Sequence, residues 1–316
     1  MNKVKLIEVR SEIAAGTRGA SLGIEALKVA SLDKDSQYFG TFDSVNVDDQ
    51  NNLLFLKNNY PHAKHIDGVH TMVRRVCSTV NDVMNEKRFP IVLAGDHSTA
   101  AGTICGIKKN RPNQRLGVIW IDAHADLHSP YTTPSGNMHG MPLAMVTGLD
   151  NKEMQINDIT EGTREIWEEI KNVGVKGPKI DPSDIVFISV RDTEEPEKHL
   201  MEKYGIKNFT PEEISRKGIE QVAKEATERL SHCENIYVSF DVDSIDSRIS
   251  KGTGTPVPGG LSVEEAKLLN EEIIKDKKVC CWEIVEVNPT LDTENLMAEN
   301  AFDILENTTK SLIENF

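Results

Sequence analysis

The chain has 316 residues, 38% hydrophobic and 27% charged, with only 13 prolines and 21 glycines; this excludes a disordered, collagen-like or low-complexity protein and allows one large domain. The 36 Lys and Arg against 50 Asp and Glu give a formal charge of −14, which argues against nucleic acid or an anionic membrane as a partner and is compatible with a cationic small molecule. Five cysteines (Cys77, Cys105, Cys233, Cys280, Cys281), odd in number and without a C-x-x-C pair, fit a reducing, cytoplasmic setting. The first residues, Met1 to Glu8, lack the uninterrupted apolar stretch of a signal peptide, and no apolar run approaches a membrane span.

In chain order, β-rich apolar runs predict strands at Val4–Val9, Pro90–Ala94, Leu116–Ile121, Asp184–Val190, Ile236–Phe240 and Val279–Val285. Helical periodicity marks Thr71–Glu86, Ser98–Lys109, Thr163–Asn172, Gly218–Leu230, Val263–Ile274 and Ala298–Ile313. Near-continuous apolar strands are covered on both faces, and strands alternating with helices build βαβ units. The expected fold is therefore a three-layer α/β/α sandwich around a central, mostly parallel sheet. Asp150–Asp158 and Ser244–Gly260 are the irregular stretches. The polar motifs run from His97 to Glu286 and have to meet in one place, so residues 1–316 read as a single domain.

Open parallel sheets bind ligands at the carboxyl ends of their strands. The strand ending at Ala94 is followed by Gly95-Asp96-His97-Ser98, the strand ending at Ile121 by Asp122-Ala123-His124-Ala125-Asp126, and the strand ending at Phe240 by Asp241-Val242-Asp243. In extended chain, residues two apart point to one side, so each motif is expected to aim its acids and histidine at a common point. Four carboxylates packed together repel one another unless cations neutralise them. His97, Asp122, His124, Asp126, Asp241 and Asp243 thus suit two divalent ions, and oxygen-rich ligation with some imidazole favours Mn²⁺ over thiolate-loving Zn²⁺. A single Asp at a strand end is ordinarily a cap, the role open to Asp96, and His62, His65, His70, His199 and His232 read as surface residues.

These three blocks resemble those of the ureohydrolases, together with Ser135-Gly136-Asn137-Met138-His139-Gly140, Gly254-Thr255-Pro256-Val257 and Glu286-Val287-Asn288-Pro289. The Ser-Gly-Asn-x-His-Gly, Ser-Phe-Asp-Val-Asp and Glu-Val-Asn-Pro forms look most like arginase, and the likeness runs from Gly16-Thr17-Arg18-Gly19 to the C-terminal helix. The resemblance implies a Mn²⁺-dependent hydrolysis of L-arginine to L-ornithine and urea, with a hydroxide bridging two ions attacking the guanidinium carbon. It implies that Asp126 ligates metal and orients that hydroxide, that Glu286 binds the guanidinium, and that His139 shuttles a proton to the departing amine. Thr133, Ser135, Asn137 and Thr255 match substrate contacts. His128 stands where Asn usually meets the substrate carboxylate, and can still donate one ring N–H; Glu194 replaces a usual Asp near the α-amine, while Glu197 falls on the matching Glu.

Three rivals stay open on sequence. One is another ureohydrolase, acting on agmatine, guanidinobutyrate or formiminoglutamate. The second is a silent regulatory member of the fold, which would have lost metal ligands. The third is a single-zinc deacetylase, against which the complete second-metal set speaks. Assembly as a homo-oligomer, a trimer or hexamer, is implied by the resemblance alone.

Overall fold

The computed structural model describes residues 3–316. Alternation along each strand decides the layers. On β4 (Leu116–Ile121), Val118 and Trp120 enter one apolar core while Ile119 and Ile121 enter the other. The same division holds on β3 (Phe89–Ala94), with Val92 and Ala94 opposite Ile91 and Leu93. Strands buried on both faces need a helical layer on each side.

One layer contains Gly23–Asp33 (α1), Ile219–Arg229 (α5), Val263–Ile274 (α6) and Leu296–Glu314 (α7). The opposite layer contains Ile66–Asn85 (α2), Ala100–Asn110 (α3) and Glu161–Ile170 (α4). The remaining strands are β1 (Val4–Val9), β2 (Ser44–Val47), β5 (Ile185–Ile188), β6 (Lys207–Phe209), β7 (Asn235–Asp241) and β8 (Val279–Val285). The sheet order is β2-β1-β3-β8-β7-β4-β5-β6, and every named pairing is parallel.

The expected sandwich is therefore present, with a sheet parallel throughout. The predicted Asp184–Val190 strand is shorter, because Pro182–Asp184 is a 3-10 turn and the chain leaves the sheet after Ile188. The helix predicted from Thr71 begins five residues earlier, at Ile66. The edge strands β2 and β6 carry the sequences Ser-Val-Asn-Val and Lys-Asn-Phe, too short and polar for the apolar-run criterion. No helix among the described residues is long and apolar enough to cross a membrane.

The topology has one functional consequence. After β3 the chain crosses to β4, and it returns later to fill the gap with β7 and β8. The motif-bearing strand ends thus become neighbours in the sheet despite wide separation in the chain.

Candidate metal centre

Four adjacent strands, β3, β8, β7 and β4, supply the polar side chains at their carboxyl ends. The turn after β3 requires Gly95, since a Cβ there would stand 2.1 Å from the Ser11 carbonyl oxygen. Asp96 caps the turn: its carboxylate accepts from the Ser98 amide at 3.0 Å and the Ser11 hydroxyl at 2.9 Å, tying β3 to the end of β1. His97 is left facing the carboxylates.

Extended alternation does not explain the convergence of the other motifs. The chain bends immediately after Ile121, Asp126 adopts a left-handed φ of 51°, and Val242–Ser244 is a 3-10 turn. What converges the acids is turn capping. Asp122 Oδ1 accepts from the His124 amide at 2.7 Å, Asp241 Oδ1 from the Asp243 amide at 2.8 Å, and Asp243 Oδ1 from the Ala123 amide at 3.0 Å. A backbone amide fixes one oxygen of each carboxylate, and the Oδ2 atoms of Asp122, Asp241 and Asp243 point at the histidines, as does Asp122 Oδ1 at His124. Glu286, directly after β8, is also left-handed, with φ 66°. Such conformations cost about 1–3 kcal/mol at a non-glycine residue and gather at functional sites.

The inward atoms form two groups that share Asp122. His97 Nδ1 lies 3.1 Å from Asp122 Oδ2, 3.2 Å from Asp126 Oδ2 and 3.1 Å from Asp241 Oδ2. His124 Nδ1 lies 3.0 Å from Asp243 Oδ2 and 3.4 Å from Asp122 Oδ1. His97 Nδ1 and Asp122 Oδ2 are fully buried yet satisfied by no hydrogen bond. An orphaned buried polar atom costs about 1–3 kcal/mol, so both need a partner that the chain itself does not supply.

The charges require one too. Burial, then repulsion from Asp122, pushes Asp126 up to about 6. Burial and Asp243 drive Asp241 well above the carboxylate range, and burial and Asp122 raise Asp243. Among the four aspartates Asp122 is the one held low, because its closeness to the His124 and His97 imidazoles outweighs its burial. A cavity that resists ionising its own acids, with nitrogen and oxygen donors and no thiolate, fits divalent cations.

The His97 ring stacks on Trp120, with centroids 4.1 Å apart and 4° between planes, and its Nε2 is 2.8 Å from Ser239 Oγ. Beside the cluster, His139 Nδ1 meets Glu286 Oε1 at 3.1 Å, and the same oxygen accepts from the His97 amide at 2.9 Å. Burial opposes charge on both partners, but their mutual hydrogen bond wins, raising His139 and lowering Glu286.

All six candidate ligands border one cavity of about 250 Å³. Thr133, Ser135 and Asn137 border it as well, as do His128, His139, Glu194, Glu197 and Thr255, whose hydroxyl donates to Asp243 Oδ2 at 3.2 Å. The five other histidines do not. His128 makes contacts the sequence did not foresee: Nε2 is hydrogen-bonded to Glu194 Oε2 and Nδ1 sits 3.1 Å from Thr132 Oγ1, so both ring nitrogens already have partners within the chain. Glu197 both accepts from the Leu127 amide at 3.2 Å and completes the capping box of helix Glu195–Tyr204 with Glu194.

Sequence reading placed Ser239 in the Ser-Phe-Asp-Val-Asp block without giving it a role, and missed Trp120, which carried no signal. It gave no role to Arg191, whose guanidinium donates to the carbonyls of Asp243, Val257 and Pro258 and pins the 244–260 loop over the site. Asp192, exposed at the cavity rim, was likewise given no role of its own, and Lys64, from a distant segment, was missed.

The sequence model of the Arginase family matches residues 2–309. The chain is 34% identical to the arginase of Bacillus subtilis (strain 168) over 303 residues, covering 96% of each protein. It superposes on the crystal structure of arginase from Bacillus cereus with a TM-score of 0.80 at 32% identity, covering 96% of this chain and 97% of that one. Formimidoylglutamase from Bacillus subtilis shares the fold alone, with a TM-score of 0.72 at 20% identity over 99% of this chain and 88% of that one.

Proposed function

Since the chain belongs to the arginase family, we propose that it hydrolyses L-arginine to L-ornithine and urea, and that it does so with two Mn²⁺ ions per chain. His97, Asp122, His124, Asp126, Asp241 and Asp243 would hold the ions. The observation that carries the reading is the shared Asp122, whose two oxygens face the two imidazoles of otherwise separate donor groups. When bound, two divalent ions lower the pKa of a water so that a hydroxide is available at neutral pH.

The chain's own residues account for the rest. Glu286, ionised and paired to His139, offers a carboxylate to the substrate guanidinium, a charge-assisted contact. His139 keeps Nδ1 on Glu286, which leaves Nε2 as the nitrogen that passes a proton to the departing amine. At the far end, Thr133 and Ser135 hydroxyls and the Asn137 amide are donors suited to the α-carboxylate, and Glu194 and Glu197 are acceptors for the α-ammonium. His128 already occupies Glu194, so it tunes that acceptor and does not bind the carboxylate itself. The five cysteines are free thiols, which supports a cytoplasmic setting, and the family resemblance supports a homo-oligomer.

The deciding experiment is urea release from a panel of guanidino compounds with Mn²⁺ present, alongside metal analysis of the reconstituted chain. Arginine is expected to be preferred, with metal content approaching two per chain. Preference for agmatine or another decarboxylated guanidine overturns the substrate, and a content that stays at one or below overturns the binuclear site.

A further inference from the structure

The cavity is lined by acids: Asp192, Glu194 and Glu197 stand near its amino-acid end in addition to the metal-facing carboxylates, and no Lys or Arg borders it. A substrate carboxylate entering such a cavity meets repulsion unless a positive charge stands close by. Among the described residues, Lys64 supplies one through a single intermediary. It lies on the segment just before α2, and its Nζ donates to Asn137 Oδ1 at 2.9 Å.

The segment is seated firmly. The Lys64 amide donates to the Gly136 carbonyl at 2.8 Å, and Gly136 has φ +75° with no room for a Cβ, which would fall 2.0 Å from the Pro61 carbonyl oxygen. The Ser135-Gly136-Asn137 loop and the 61–64 segment are therefore packed backbone to backbone, and Lys64 stays beside Asn137.

An ammonium has three donors and no acceptor, so the amide atom it meets has to be the oxygen. This determines which way the Asn137 amide is turned. Its oxygen is consumed by Lys64, and its NH₂ remains as a donor; among the described residues nothing accepts a hydrogen bond from Nδ2. The opposite flip would face Lys64 with hydrogens and offer a carboxylate an oxygen.

We propose that Lys64 is a specificity-determining positioning residue, which acts through Asn137 to make the cavity accept the α-carboxylate of an amino-acid substrate. It does this in two ways: by orienting the amide so that it donates, and by placing a cation behind it that polarises those N–H groups. This rests on the arginine reading of the same site, and the experiment separates the two.

L-ornithine and its decarboxylated counterpart putrescine are titrated calorimetrically into the Mn²⁺-loaded protein and into its K64M variant, and kcat and KM for L-arginine are measured in parallel. Losing a charge-assisted contact is expected to weaken L-ornithine about tenfold and to raise the KM for arginine by a similar factor, with putrescine affinity, kcat, metal content and melting temperature close to wild type. K64R keeps the charge and the donors and is expected to restore ornithine binding. In an N137A background K64M is expected to add less than about twofold, as for two residues acting through one contact. Unchanged ornithine affinity in K64M, or an equal loss of ornithine and putrescine, overturns the role of Lys64. A wild-type protein that binds ornithine in a Lys64-dependent way yet leaves arginine intact overturns the substrate reading and leaves the role of Lys64 standing.

Discussion

Ser239→Ala probes how the sheet prepares His97 for a metal. His97 Nδ1 faces three carboxylate oxygens at 3.1–3.2 Å, so as a ligand it has to be unprotonated there and carry its proton on Nε2. That proton goes to Ser239 Oγ, 2.8 Å away, and both residues are fully buried. The substitution removes one oxygen and leaves a buried N–H without an acceptor, a cost of about 1–3 kcal/mol. Trp120 still stacks on the ring and holds its plane, so the loss is one of tautomer and hydrogen bonding, with the ring still in place. In the metal-free variant the proton can move to Nδ1, toward Asp122, Asp126 and Asp241, which relieves the orphan. Metal binding has to reverse that move. The penalty therefore appears in metal affinity far more than in the stability of the apo chain, as a loss of about 10–100-fold for the ion on His97. Calorimetric titration of Mn²⁺ into the apo protein, with thermal melts of the apo form, measures both quantities. An S239A protein that binds both ions as tightly as wild type would refute the tautomer argument.

His139→Ala is expected to lower turnover by about 10²–10⁴-fold with metal content near normal, and full activity with an unchanged pH profile would remove it from the mechanism. His128→Asn releases Glu194 and supplies an amide donor, so the KM for L-arginine should fall while kcat changes little; a rise in KM would show that the His128–Glu194 pair helps binding. Asp150 accepts from Trp167 Nε1 at 2.8 Å and from Lys171 Nζ at 2.7 Å, and these bonds outweigh its burial and lower its pKa. Its stabilisation is thus fully present above the unfolded-state pKa near 3.9 and disappears as pH falls through the lower folded value, so Asp150→Asn should cost about 1.5–3 kcal/mol at pH 7 and converge with wild type in acid. Denaturant melts from pH 3 to 7 check this, and a cost independent of pH would count against the ion pair.

Composition and periodicity determine a great deal here, because they register local physics. Leu116–Ile121 and Val279–Val285 end where their apolar runs end, since a strand buried on both faces is apolar except where a polar side chain finds a buried partner, as Glu283 does in the Tyr237 hydroxyl. The motif residues His97, Asp122, His124, Asp126, Asp241 and Asp243 were legible because strand ends are where a parallel sheet exposes chemistry. The edge strands Ser44–Val47 and Lys207–Phe209 were not, because one open side removes the demand for apolar residues.

What tertiary structure alone decided is direction and neighbourhood. The return of β7 and β8 between β3 and β4 is a matter of strand order, and it brings Glu286 within hydrogen-bond reach of His139 and of the His97 amide. The acids converge through turn-capping bonds and a left-handed Asp126, geometry that an alternating spacing does not encode. The ring of His128 turned to Glu194, Ser239 reached His97 across the sheet, and Lys64 met Asn137 across 73 positions of chain, each because packing brought a donor to an acceptor that local sequence does not specify. Residue type sets which contacts are chemically possible; only the packed chain sets which of them are made.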